Sequence, residues 1–101
     1  MNKFMMQQAQ KLQAQLLKAQ EELANLTVEA SSGGGAVTVV MNGQQQIQSV
    51  KISPEVVDPE DVEMLEDMVL SAVKEAQTMA QEAAAKKMSG LTGGMKIPGL
   101  M

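Results

Sequence analysis

The sequence predicts an α+β fold in which a long N-terminal helix, a three-stranded antiparallel sheet and a C-terminal helix follow one another. Apolar residues recur at helical spacing near both ends of the chain, and three short runs rich in β-branched residues lie between them. Segregated helices and antiparallel strands are typical of the α+β class. A length of 101 residues favours one domain, which we expect to span residues 1–89, followed by a flexible tail at 90–101.

The first helix is predicted from residue 3 to about residue 26. Its apolar residues are separated alternately by four and three positions, as in a heptad seam that lasts about three repeats. The seam consists of Met5, Ala9, Leu12, Leu16, Ala19, Leu23 and Leu26. Asn25 and the β-branched Thr27 and Val28 mark the end of the helix.

Three strands are predicted from Leu26 to Ser31, from Ala36 to Met41 and from Ile47 to Ile52. Asn42-Gly43 predicts a tight hairpin turn with positive φ at both residues. The glycines Gly33–Gly35 lie between two strands rather than before a helix, and no GK[ST] sequence follows them. We therefore expect a hairpin connection there and not a phosphate-binding loop.

The second helix is predicted to begin with Asp58 as its N-cap and Pro59 in its first position. Apolar residues continue at helical spacing from Val62, and Lys86 and Lys87 near the end suit the helix dipole. The helix is expected to run to about Met88, because Gly90 is a helix-terminating residue.

The composition removes several classes of function. The chain has no histidine, cysteine, tyrosine, tryptophan or arginine, so its eight basic residues are all lysine. Without histidine the commonest general base and metal ligand is absent, and without cysteine there is no thiol nucleophile or thiolate metal site. We expect no enzyme activity, cofactor or small-molecule substrate. No apolar run approaches the roughly 20 residues that span a bilayer, and a cytoplasmic protein is expected.

The charge is unevenly distributed along the chain. The net charge is −4, which by itself argues against a nucleic-acid partner. Yet Lys3, Lys11 and Lys18 precede every acidic residue, and only lysines carry side-chain charge after Glu82. Two interpretations remain open: the lysines are ordinary solvated surface charges, or both ends form a positive rim that meets phosphates while the acidic middle faces away.

A second copy of the chain is the expected partner for the apolar seam. A helix of this length is too long for a small sheet to cover, and a three-stranded sheet leaves two edges. We therefore predict a homodimer. The predicted interface residues are Leu12, Leu16, Leu23, Val37 and Val39.

Four blocks of sequence resemble the YbaB/EbfC family of bacterial nucleoid-associated proteins along nearly the whole chain. They are MxxQAQKLQxQLxKAQEELA at 5–24, GGGAVTVVMNG at 33–43, VKISPEVVDPEDVEMLEDMVLSAVKEA at 50–76 and MSGLTGG at 88–94. The four blocks in this order are specific, whereas any one of them alone is weak.

The resemblance implies a tweezer-like homodimer whose helical arms bind double-stranded DNA and alter its conformation. It implies roles in nucleoid organisation, gene regulation and DNA protection, and a location in the nucleoid. The residues that it points to for DNA contact are Lys3, Gln8, Lys11, Lys18, Lys86 and Lys87. Because lysine lacks the planar fork of arginine, weak sequence preference is expected.

An alternative function is a protein-interaction module. In this hypothesis the exposed helix seam, the methionines and the apolar tail bind another protein, and DNA binding is incidental. The ten methionines fit either view, since methionine fills cores and also lines adaptable recognition surfaces.

Overall fold

A computed structural model of the chain describes residues 2–92. Helix α1 spans Lys3–Asn25, strands β1, β2 and β3 span Thr27–Ser32, Val37–Asn42 and Ile47–Ile52, and helix α2 spans Val62–Thr92. The strands form one antiparallel sheet in the order β1-β2-β3. The α+β class and the helix–sheet–helix order are therefore confirmed. None of the helices within residues 2–92 is long and apolar enough to cross a bilayer.

The core lies between one face of the sheet and α2. Val37, Val39 and Met41 alternate along β2 and point to α2, and all three are fully buried. Ala72, Ala76 and Ala80 recur every four residues on the facing side of α2. Because alanine is small, α2 can approach the sheet closely along this stripe.

Helix α2 covers β1 and β2 but barely touches β3. The register pairs Val37 with Ile52 and Val39 with Val50, so these β3 residues lie on the same face of the sheet as the core. Val50 and Ile52 nevertheless remain 44% and 40% exposed. One apolar strip of the sheet therefore has no cover within the described chain.

The β1–β2 connection is a left-handed turn made by Gly33–Gly35. All three glycines have positive φ, of 61°, 69° and 94°. A Cβ atom at Gly33 would also collide with Met68 Sδ of α2. The next element is β2 and not a helix, as the sequence predicts. Beside it the Ser32 hydroxyl donates to the Met68 carbonyl oxygen at 2.6 Å and fixes α2 to the end of β1.

The β2–β3 hairpin is confirmed, but the predicted Asn42-Gly43 turn is wrong. Asn42 is the last residue of β2, and the positive φ falls on Gln45, at 62°. The buried Asn42 side chain organises the loop instead, because its Oδ1 accepts from the amides of Gln44 and Gln46 at 3.0 and 2.9 Å. Because the Asn42 side chain accepts hydrogen bonds that the backbone of a tight turn would otherwise make, the loop can be longer than the two-residue turn that Asn42-Gly43 indicates.

This loop also holds the C-terminus of α1. The Gly43 amide donates to the carbonyl oxygens of Leu23 and Leu26, at 2.9 Å each. The Asn42 Nδ2 reaches the Ala24 carbonyl oxygen at 3.4 Å, and the Gln44 amide group donates to the Gln20 carbonyl oxygen at 3.0 Å. Carbonyl groups at the end of a helix lack partners within the helix, so the loop satisfies them and fixes the direction of α1.

Both predicted boundaries of α2 are wrong. Asp61 rather than Asp58 caps the helix, since its carboxylate accepts from the Met64 amide at 3.2 Å. Asp58 instead accepts from the Glu60 amide at 3.0 Å in the preceding turn. The helix continues through Gly90 to Thr92, because packing on the sheet and α1 can outweigh the low helix propensity of a single glycine. The rest of the predicted tail lies outside the described residues.

Replacing Gly43 by alanine should loosen α1 from the sheet. The new Cβ would lie 2.8 Å from the Leu23 carbonyl oxygen, a backbone atom that cannot move independently. We expect a loss of about 2 kcal/mol in the free energy of unfolding, as for other overpacked sites, measured by urea titration at fixed protein concentration. Hydrogen exchange of the last α1 amides, at 23–25, should accelerate.

Gly34→Ala is the matched control, since its Cβ would meet nothing within 4 Å. It should cost about 1 kcal/mol from left-handed strain alone and leave exchange in α1 unchanged. Equal exchange in α1 for the two variants would contradict this role of the β2–β3 loop.

Candidate nucleic-acid interface

A groove of about 770 Å³ lies between the C-terminal half of α1 and the C-terminal third of α2. The α1 wall carries Gln15, Lys18 and Glu22, and the α2 wall carries Lys86 and Lys87. Ala19, Leu26 and Ala83 form the apolar part of the lining. The groove therefore brings three of the six predicted DNA-contacting residues together from positions almost 70 residues apart.

One acidic side chain lies among these lysines. Glu22 and Lys87 form an ion pair across the groove, and their side chains are 41% and 38% exposed. The hydrogen bond from Lys87, followed by the charges of Lys87 and Lys18, holds the pKa of the Glu22 carboxyl below its ordinary value. Glu22 is therefore ionised at neutral pH, and the three lysines and one glutamate leave the groove positive.

A polar stripe continues the groove along α1 toward its N-terminus. Gln8, Lys11, Gln15 and Lys18 are spaced by three, four and three residues, which places them on one face of the helix. Lys11 and Lys18 are about 10 Å apart along the axis, given the rise of an α-helix. All four side chains are exposed. The stripe and the groove form a continuous polar surface.

The structure brings some predicted residues together and leaves others apart. Lys18, Lys86 and Lys87 share the groove, and Gln8 and Lys11 lie on the stripe beside it. Lys3 is eight residues before Lys11, so it projects about 80° around the helix from the stripe. Contact of these residues with DNA stays a prediction.

Sequence reasoning missed Gln15 and Glu22. Gln15 could have been found, since it lies four residues after Lys11 and three before Lys18. Glu22 could also have been placed on this face, since it lies four residues after Lys18, but its pairing with Lys87, 65 positions further along the chain, could not.

A group of acidic residues lies at the opposite end of α2. Asp61, Glu63 and Asp67 line a shallow cleft of about 450 Å³ beside Ser32 and Gly33. From Asp61 to Lys86 is about 37 Å along α2 at the usual helical rise. This acidic group is thus separated from the lysine groove by a distance several times the Debye length in physiological salt, whereas Glu21, Glu22 and Glu82 lie close to the lysines.

The predicted dimer-interface residues fall into two groups. Leu12 and Leu16 are 37% and 39% exposed on α1. Leu23, Val37 and Val39 are buried within the single chain, at 5%, 0% and 0% exposure, and have no surface to offer a second copy. The sequence pattern shows that these residues are apolar, but it does not distinguish burial within the chain itself from burial against a partner.

A small α+β unit with a lysine-lined groove between two long helices belongs to the class of proteins that can hold a polyanion. A family model of the YbaB/EbfC DNA-binding family matches residues 1–95, and the chain belongs to this family. The resemblance seen in the sequence is thereby confirmed. The family is one of DNA-binding proteins and not of enzymes, as the composition predicts.

Curated relatives match over almost the whole chain. A nucleoid-associated protein of Pelotomaculum thermopropionicum is 57% identical over 96 residues, which cover 95% of this chain and 91% of the relative. A nucleoid-associated protein of Desulforamulus reducens is 56% identical over 100 residues, which cover 99% of this chain and 94% of the relative.

A solved structure shares the fold. The crystal structure of an uncharacterised protein from Helicobacter pylori superposes with a TM-score of 0.71 at 20% sequence identity. The superposition covers 94% of this chain and 97% of that one. At this identity the likeness concerns the fold alone.

The Glu22–Lys87 pair gives a pH prediction. The pKa of the Glu22 carboxyl is lower in the folded chain than in the unfolded chain. The ionised carboxylate therefore adds to the free energy of unfolding above the unfolded pKa, and this contribution is lost as the pH falls through the folded pKa. In an NMR titration of the Glu22 carboxyl carbon, Lys87→Gln should move the midpoint upward. Lys86→Gln is the neighbouring control and should move it less, and equal movement in both variants would contradict a specific pair.

Proposed function

We propose that the chain acts as a homodimeric nucleoid-associated protein that binds double-stranded DNA mainly through the phosphate backbone and alters its conformation. The observation that carries the proposal is the convergence of Lys18, Lys86 and Lys87 in one groove. Family membership and the names of the curated relatives support DNA as the partner. Such binding would place the protein in the nucleoid.

The chemistry of the groove favours electrostatic binding with weak sequence preference. Lysine is a point charge that neutralises phosphate without the bidentate geometry with which arginine reads guanine. The chain has no arginine and a single aromatic residue, Phe4, so stacking on bases contributes little. Gln8 and Gln15 are the nearest amides on the stripe that could contact base edges or sugars.

A second copy is the proposed cover for the apolar strip on β3. Ile47, Val50 and Ile52 lie next to the core but outside the reach of α2, with 51%, 44% and 40% exposure. Three large apolar side chains in a row on an edge strand expose a surface that stable monomers rarely leave open. Leu12 and Leu16 on α1 stay part of the proposed interface.

Pairing two chains would double the lysine groove. The single chain has a radius of gyration of 19.4 Å, against roughly 13 Å for a compact domain of this length. An elongated subunit paired through β3 and the apolar seam of α1 would leave the polar stripe and the groove of each copy exposed. Two such sites on one duplex give a physical means of bending it, and on two duplexes a means of bridging them.

The exposed N-terminal part of α1 supports the second candidate, a protein-interaction module. Phe4, Met5 and Met6 are 65%, 57% and 49% exposed, which is unusual for large apolar side chains at one helix end. If the wild-type protein shows no DNA binding even at about 50 mM salt, where phosphate contacts are strongest, this second function is favoured.

Reversing charge on the stripe should weaken DNA binding. Lys11→Glu combined with Lys18→Glu should raise the dissociation constant for a short duplex at least about tenfold at low salt, because each reversal replaces a phosphate contact by repulsion. The slope of log affinity against log salt should become shallower. Fluorescence anisotropy at two salt concentrations measures both quantities.

Lys51→Glu combined with Lys74→Glu is the matched control. Both lysines are exposed, on β3 and in the middle of α2, and the change in net charge is identical. This variant should bind within about threefold of the wild type, because neither lysine lines the groove and Lys74 lies about 18 Å along α2 from Lys86. Equal weakening in the two double variants would contradict the assignment of the groove.

Val50→Asp should convert the protein to a monomer, since a carboxylate in the apolar β3 strip would be buried without a partner. Light scattering coupled to size exclusion measures the mass, and circular dichroism confirms that the fold survives. Ser49→Asp is the control, because Ser49 pairs with Val40 on the other face of the sheet and should leave the mass unchanged. A wild-type protein that is monomeric at micromolar concentration would contradict the dimer.

A further inference from the structure

Glu22 has a place in the lysine groove that a simple phosphate-binding surface does not require. It lies on the α1 wall one turn after Lys18, and its carboxylate pairs with Lys87 of α2. Lys18 and Lys86 have no ion-pair partner within residues 2–92. One of the three lysines is thus occupied by the protein itself, while the other two are available.

We propose that Glu22 is an internal competitor of DNA phosphate, which retains Lys87 and so limits the strength of backbone binding. This inference rests on the proposed DNA-binding function and adds the residue that tunes it. A phosphate that enters the groove meets Lys18 and Lys86 but must either displace the Glu22 carboxylate from Lys87 or lie beside a negative charge. Both routes weaken binding.

The geometry supports attenuation rather than complete blockage. Both side chains of the pair are about 40% exposed, and exposed ion pairs are weak and screened by salt. Glu22 therefore reduces the number of phosphates that the groove neutralises without closing it. For a protein that contacts DNA without strong sequence preference, a lower phosphate count gives faster release and less sensitivity to salt.

The proposal predicts opposite effects for the two halves of the pair. Glu22→Gln frees Lys87 and should tighten binding about threefold to tenfold at about 50 mM salt, with a slope of log affinity against log salt steeper by about 0.9 for each groove engaged. Lys87→Gln in the wild-type background should weaken binding, but by a smaller factor than it does in the Glu22→Gln background, because Lys87 is partly occupied by Glu22 in the wild type. Lys87→Gln added to Glu22→Gln should abolish the gain.

Glu21→Gln is the matched control. Glu21 is the preceding residue of α1, is exposed and lies outside the groove, so the change in net charge is the same. It should tighten binding clearly less than Glu22→Gln does. Equal tightening would mean that overall charge, and not the groove, is responsible, and this would overturn the proposal.

A purely structural role gives a different pattern. If the pair only holds α1 against α2, both single variants break it and should shift DNA binding in the same direction, with matching losses of thermal stability. That result would overturn the proposal, as would a Lys87→Gln variant that weakens binding equally in both backgrounds.

Failure of this inference is distinguishable from failure of the proposed function. Suppose that the wild type binds DNA and is weakened by reversal of Lys11 and Lys18. If the effects of Glu22→Gln and Lys87→Gln on the binding free energy then simply add in the double variant, only the competitor role is wrong. If the wild type does not bind duplex DNA at low salt, the proposed function itself fails. The titrations use the full-length chain and one unlabelled duplex as competitor.

Discussion

The joint between the C-terminus of α1 and the β2–β3 loop is the interaction on which the rest of the structure depends. α1 makes few packing contacts of its own with the sheet, and along most of its length its apolar side chains are exposed. What fixes its direction is a set of hydrogen bonds from Asn42, Gly43 and Gln44 to the last carbonyl groups of the helix. If α1 left the sheet at another angle, Lys18 would not face Lys86 and Lys87.

Separation of charge explains how an acidic chain can belong to a DNA-binding family. The net charge of −4 is a sum over the whole chain. The length of α2 keeps the acidic group at its N-terminal end apart from the lysines at its C-terminal end. Its N-terminal end carries the densest run of acidic residues and its C-terminal end carries Lys86 and Lys87, and the joint brings Lys18 of α1 to the same end. Electrostatic interaction in salt is local, so a duplex placed in the groove would respond mainly to the charges nearby and not to the net charge of the chain. Three acidic residues do lie near these lysines: Glu22, which lines the groove, Glu21 beside it, and Glu82 one turn before Lys86.

The order and type of the elements could be predicted from the sequence, because hydrophobic periodicity records them directly. Positions that depend on a side chain's distant partner could not. Asp58 and Asp61 are both plausible caps, and only the packing of α2 on the sheet decides between them. Asn42-Gly43 is typical of a two-residue turn, yet Asn42 caps a longer loop that reaches α1. Val37 and Val39 read as buried strand residues, but the sequence does not say which surface buries them. The lysines of the groove could be named individually, whereas their convergence and the pairing of Glu22 with Lys87 required the fold.

Chemical-shift mapping of the lysine side chains during titration with a short duplex tests the central claim most directly. If DNA lies in the groove between α1 and α2, the ammonium-bearing methylene signals of Lys18 and Lys86 should shift most, with those of Lys11 next. Signals of Lys51 and Lys74 should stay unchanged. Shifts that spread evenly over all lysines, or that concentrate on β3, would contradict the account.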